Sequence, residues 1–176
     1  YLSDDQIRQR GGLKMSLDEL LKASDFVSLN CPLTDDSAGM IGRDQIALMK
    51  PTAYFVTTAR GGIHKEDDLA EALAAGTIAG AGLDVFLEEP PARDHPLMQL
   101  DNVIATPHNA GLTAEAKQSM ARSAVRQWGS LFSGGPPRAP VNPEVWDRYA
   151  DRYEKLFGVR PEFPRPSGER VARSAG

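Results

Sequence analysis

Apolar residues fall along this chain in short runs broken by glycine, proline or charge, and the runs alternate between two periods. Residues 26–29, 53–57, 78–86 and 103–105 are compact apolar or β-branched stretches of strand length. Between them the spacing turns helical. Ser16 and Glu19 stand at the separation of a capping box, ahead of Leu17, Leu20 and Leu21 on one face of a short helix. Residues 43–50 predict a second helix, with Ile46, Leu48 and Met49 inward and Pro51 as its stop. Residues 33–40 read as a loop with one helical turn. Residues 65–75 predict a third helix, with Leu69 and Leu73 on its inner face and Gly76 after its end. Thr113 is placed to cap the longest helix, residues 114–131. Strands alternating with helices imply an α/β fold with a doubly wound parallel sheet, Rossmann-like in class.

Three of the apolar runs end in polar groups of a particular kind. The stretch YFVTTARGG breaks at Arg60 and two glycines, AGLDVFLEEPP at Glu88, Glu89 and two prolines, and NVIATPHNAG at Pro107 and His108. In open parallel sheets, ligands bind at the carboxyl ends of the strands. An arginine, a carboxylate and a histidine at neighbouring strand ends are therefore an active-site layout.

Composition narrows the classes. With 176 residues, 41% hydrophobic and 25% charged, the chain can build one domain with a sizeable core. A net charge of -4 leaves no electrostatic footprint for nucleic acid. No run is long enough to span a bilayer, and the expected setting is the cytoplasm. The single cysteine, Cys31, excludes an internal disulfide and supplies no metal-ligand set. The opening YLSDDQIRQRGG is polar and lacks an initiator methionine, so it reads as the middle of a protein. Residues 1–140 are expected to form one domain and residues 141–176 an extension. In that extension a short helix docks by Trp146, Tyr149 and Tyr153, and the proline-rich tail from 160 is expected to be disordered.

Each chemical candidate has a plainer reading beside it. A guanidinium can grip a carboxylate through two parallel bonds, so Arg60 suits a substrate carboxylate; otherwise it is a surface arginine capping the next helix. His108 carries the side chain best suited to proton transfer near neutrality, and a nearby carboxylate would favour its charged form; a lone histidine after proline is otherwise structural. Asp84 lies within an apolar run, where an unpaired charge is costly. It is there for chemistry, or as a carboxylate satisfied by backbone amides. His64 and His95 lack a comparable setting and are expected to be solvent-exposed. Cys31 has no base to activate it and reads as packing or backbone contact.

The runs TTARGG, AGLDVFLEEPP and TPHNAG, in this order and at these separations, resemble the D-isomer-specific 2-hydroxyacid dehydrogenases, the phosphoglycerate dehydrogenase type included. The likeness extends from about residue 16 to residue 146. It implies the carboxyl part of an NAD-binding domain, N-terminally incomplete and lacking its first strand–helix unit, from an NAD-dependent oxidoreductase that is a homodimer when complete. Its partner would be a small 2-hydroxy or 2-oxo acid, with no nucleic acid or membrane involved. By resemblance Arg60 binds substrate, Glu89 pairs with His108, and His108 is the acid/base for hydride transfer between nicotinamide and C2. Cofactor contacts are implied for Cys31, Thr58, Ala59, Arg60, Asp84, His108, Ala110 and Gly111.

The chain departs from that pattern in places. No GxGxxG fingerprint is present, since Gly80 and Gly82 lie within a strand that leads into a loop. Thr57 stands where the family usually has asparagine, which bears on the strand end. Ile63-His64-Lys65 replaces an aliphatic pair and aspartate, which alters how the next helix is capped. Two other readings stay open: a dinucleotide-sensing, co-repressor-like binding module, and an inactive fragment.

Overall fold

The computed structural model describes residues 2–138 and 140–161. They divide into two compact units, one running to Gly111 and the other starting at Leu112. The expected disorder of the tail concerns residues 162–176, which lie outside the described residues.

The first unit is an α/β layer. After α1 (Asp4–Gln9) and α2 (Leu17–Ala23) come β1 (Phe26–Leu29), α3 (Arg43–Ile46), β2 (Tyr54–Thr57), α4 (Glu66–Ala74), β3 (Gly80–Leu83), a 3₁₀ turn (Pro96–Gln99) and β4 (Val103–Ala105). All pairings are parallel, in the order β1-β2-β3-β4, with Leu29, Thr57 and Leu83 level and Ala105 beside Leu83. The strands step across the sheet in one direction, which is one of the two progressions of a doubly wound sheet.

Alternation sorts the strand residues onto two faces. Val27, Leu29, Phe55, Thr57, Ala81 and Leu83 are buried, in a core with Leu21, Ile46, Leu69 and Leu73 from the helices. On the other face, Phe26 stacks on Tyr54 with centroids 5.6 Å apart. On this face Phe26 is 72% exposed and Ile104 73%.

The caps explain where the helices start. Ser16 accepts from the Glu19 amide, and Glu19 returns a bond to the Ser16 amide, as expected. Lys65 at the start of α4 makes no side-chain cap, which is the effect of replacing the usual aspartate. Several expectations need correction. Only Leu21 of the first apolar helical face is buried; Leu17 and Leu20 are each 38% exposed. The helix expected over 43–50 ends at Ile46, because Leu48 and Met49 donate to carbonyls three residues back as the chain tightens ahead of Pro51. The strand expected over 78–86 is paired only from Gly80 to Leu83, for β2 starts at Tyr54 and turns off after Thr57.

His64 is the sharpest correction. It is 2% exposed, tilted against Phe55 at 5.6 Å, and neither ring nitrogen has a hydrogen-bond partner. Burial holds its pKa below the ordinary value, with Glu66 opposing weakly. The folded protein thus holds the neutral ring, and the unfolded chain takes the proton first as pH falls below about 6.5. His64 weakens the fold over that lower range, by up to about 1.4 kcal/mol per pH unit. His64→Val is expected to be more stable than the parent, with a margin that widens below about pH 6.5 in thermal melts. A margin that stays constant with pH would contradict the neutral, buried ring.

In the second unit α5 (Ala114–Phe132) starts where Thr113 accepts from the Ala116 amide. A 3₁₀ turn leads into α6 (Trp146–Phe157), which ends at Gly158 in the left-handed region. The Tyr149 and Tyr153 hydroxyls donate to the Leu131 and Phe132 carbonyls, two of the last acceptors of α5. The expected docking is thus present for Tyr149 and Tyr153, while Trp146 is tilted against Tyr149 of its own helix, with ring centroids 4.9 Å apart. No helix among the described residues is long and apolar enough to cross a membrane.

Candidate active site

Every expected site residue lies after a strand end of the first unit, along the carboxyl edge of the sheet. All but Ala110 and Gly111 line two clefts. After β1 and β2, a cleft of about 590 Å³ is bounded by Cys31, Thr58, Ala59 and Arg60. After β3 and β4, a cleft of about 480 Å³ is bounded by Asp84, Phe86, Glu89, Thr106 and His108.

The turn that presents Arg60 is set locally. Thr57 is fully buried, and its hydroxyl accepts from the Ala59 amide at 3.4 Å, so threonine closes the strand end where the family usually has asparagine. Gly62 follows with a φ of 83°, a conformation suited to glycine. Gly61 is needed for another reason: a Cβ there would lie 2.0 Å from the Phe86 carbonyl oxygen. The Arg60 turn is thereby pressed onto the segment that leads to Glu89. The Arg60 side chain is solvent-facing and donates to the Ala59 carbonyl at 2.6 Å. Among the described residues it is not bonded to Glu89 or His108.

Asp84, Glu89 and His108 are brought together. Asp84 is 5% exposed and accepts three bonds, from the Thr106 hydroxyl at 2.5 Å and from the amides of Asn109 and Ala110 at 2.9 and 3.0 Å. Burial alone would push its carboxyl up. Thr106 and the two amides outweigh that, helped by His108, and leave it below its ordinary value. The satisfied-carboxylate reading of Asp84 is therefore present in full, and the amides it holds belong to the two residues directly after His108. That residue has a φ of 50°, where a non-glycine residue needs support.

His108 Nδ1 lies 2.8 Å from Glu89 Oε2, and the other Glu89 oxygen accepts from the Phe86 amide at 3.1 Å. The His108 bond, with that amide second, holds the Glu89 carboxyl below its usual range. An ionised carboxylate can only accept, so Nδ1 carries a proton and Nε2 is left as the atom that can give or take one. Such an arrangement can serve as an acid/base with its orienting partner. Both side chains are partly open, 44% and 38% exposed, so a small molecule in the cleft can reach them.

A profile of the D-isomer specific 2-hydroxyacid dehydrogenase, NAD binding domain, matches residues 1–110. The chain belongs to this family. It is 46% identical over 129 residues to glyoxylate/hydroxypyruvate reductase B of Pectobacterium carotovorum, covering 73% of this chain and 40% of that protein. It is 48% identical over 146 residues to D-3-phosphoglycerate dehydrogenase of Methanocaldococcus jannaschii, covering 82% of this chain and 26% of the other. Among solved structures it resembles the NAD-complexed D-isomer specific 2-hydroxyacid dehydrogenase of Lactobacillus delbrueckii ssp. bulgaricus, with a TM-score of 0.71 at 29% identity. That match covers 80% of this chain and 46% of that one. The chain thus spans about two fifths or less of these curated relatives, and the family's cofactor is NAD.

A second carboxylate–histidine contact in the first unit has little sequence signal. His95 is not solvent-exposed as expected: its side chain is 19% exposed and meets Glu66, 12% exposed, at 3.0 Å. The one local signal is Asp94-His95-Pro96, a cap on the 3₁₀ turn; the partner lies 29 residues away.

Proposed function

We propose that this chain is the carboxyl part of the nucleotide-binding domain of an NAD-dependent D-2-hydroxyacid dehydrogenase, with residues through about 140 in that domain and the rest an extension. The His108–Glu89 pair at the carboxyl edge, beside an arginine on the neighbouring strand end, carries this reading. Arg60 grips the carboxylate of a small 2-oxo acid through its planar fork. His108 Nε2 gives a proton to the substrate oxygen in reduction and takes it back in oxidation, while Glu89 keeps the ring oriented. The residues that would hold the nicotinamide end of the cofactor are Cys31, Thr58, Ala59 and Arg60 of one cleft, with Asp84, His108, Ala110 and Gly111 after the ends of the next two strands. NAD, when bound there, supplies or accepts the hydride at C2.

The test is reduction of glyoxylate and hydroxypyruvate by the complete protein, followed by loss of NADH. Arg60→Lys keeps the charge and loses the two-point grip. It is expected to raise KM and lower kcat, by on the order of a hundredfold in kcat/KM, with NADH binding near that of the parent. Unchanged kinetics would remove Arg60 from the substrate site, and the absence of any 2-oxo acid reduction by the parent would overturn the function.

A further inference from the structure

The first unit holds a second carboxylate–histidine couple that the acid/base scheme leaves without a part. Glu66 is the first residue of α4, and its two oxygens do separate work. Oε1 accepts from the Leu87 amide at 2.5 Å, and Oε2 faces His95 Nε2 at 3.0 Å. His95 Nδ1 accepts from the Leu97 amide at 3.3 Å, so the ring proton sits on Nε2 and is donated to Glu66. The same ring stands edge-on to Phe86, with centroids 5.8 Å apart.

One carboxylate therefore grips the segment 87–95 at both ends. That segment carries Glu89 and contains no helix or strand. Glu66 also follows the Gly61–Gly62 turn by only a few residues, so it is covalently tied to the strand end that presents Arg60. Withdrawing a carboxylate from water is costly unless its bonds repay the loss, and these bonds converge on one loop. We propose that Glu66 and His95 are positioning residues for Glu89, holding its loop in register with the Arg60 turn so that its carboxylate meets His108. The part Glu89 plays in catalysis rests on the dehydrogenase reading; the positioning of its side chain does not.

The experiment follows the Glu89 carboxyl carbon by NMR across the acid range, in this chain and in Glu66→Ala, Glu66→Gln and His95→Phe. In the parent it titrates below the ordinary carboxylate range. In Glu66→Ala it is expected to return toward that range, because the loop no longer holds Glu89 against the Phe86 amide and His108. His95→Phe keeps an aromatic edge beside Phe86, loses both bonds, and should move the titration part of the way. Glu66→Gln keeps an acceptor for the Leu87 amide and should restore most of the parent behaviour. Melting temperatures that fall while the Glu89 titration stays put in Glu66→Ala and His95→Phe would overturn the proposal and leave the couple a purely structural clasp. If Glu66→Ala does not fold, His95→Phe decides alone. In the complete enzyme Glu66→Ala should lower kcat for reduction about tenfold with little change in KM. A Glu89 titration that moves as expected, in a parent that reduces no 2-oxo acid, would sustain the positioning and sink the dehydrogenase reading instead.

Discussion

Gly61→Ala is expected to destabilise the first unit by about 3 kcal/mol or more, a larger effect than any conservative change on the sheet surface. The added methyl would meet backbone and not a movable side chain: the Phe86 oxygen at 2.0 Å, its carbonyl carbon at 2.2 Å and the Leu87 nitrogen at 2.6 Å. Relief requires the Arg60 turn and the Glu89 segment to part. The neighbouring glycine makes the control. At Gly62 the nearest atom is a Leu87 side-chain methyl at 3.3 Å, but φ is 83°, so Gly62→Ala pays backbone strain of about 1–2 kcal/mol. Denaturant unfolding of both variants separates the two costs. A Gly61→Ala protein that unfolds like the parent would mean that the two segments are not in contact.

His108→Ala is expected to lower both reduction and oxidation by the complete enzyme by roughly 10²–10⁴-fold, the usual span for a positioned acid/base. Glu89→Gln probes the pair more finely. The Glu89 carboxyl lies below its usual range first because of its bond to His108. As a pure acceptor it obliges Nδ1 to donate and leaves Nε2 for the substrate. The amide of Glu89→Gln can donate as well as accept, so the ring loses that fixed tautomer. Turnover is expected to fall by on the order of tenfold or more in both directions, with KM near that of the parent. Steady-state kinetics of parent and Glu89→Gln decide the matter, and an unchanged kcat would sink the pairing.

Much of this was legible in the amino-acid order because the relevant signals are local. The runs at 26–29 and 103–105 match β1 and β4 to the residue, and the Ser16–Glu19 and Thr113 caps sit where their spacing placed them. Asp84, Glu89 and His108 meet because adjacent parallel strands deliver their ends to one edge, a consequence of topology that three breaks in apolar runs foreshadow. What failed depended on partners distant in sequence. Nothing around His64 tells that Phe55 will cover it, and nothing around His95 names Glu66. The third strand looked longer than it is, since its apolar run says what can be buried but not how far the neighbouring strand accompanies it. Leu17 and Leu20 share the helical spacing of Leu21 without its burial, because α2 is only seven residues long and its inner stripe is correspondingly narrow.

The face of the sheet bearing Phe26, Tyr54 and Ile104 has a consequence for the chain as a colloid. Two stacked aromatic rings and an isoleucine, on strands whose backbones are already paired, make a flat adhesive surface with no charge among the strand residues that point there. Apolar surface of this kind promotes self-association whenever it is left to water. The sparing acidic charge of the whole chain, -4, gives only modest repulsion to oppose it. Solubility of the purified chain should therefore be governed less by its carboxylates and arginines than by whatever lies over those three side chains.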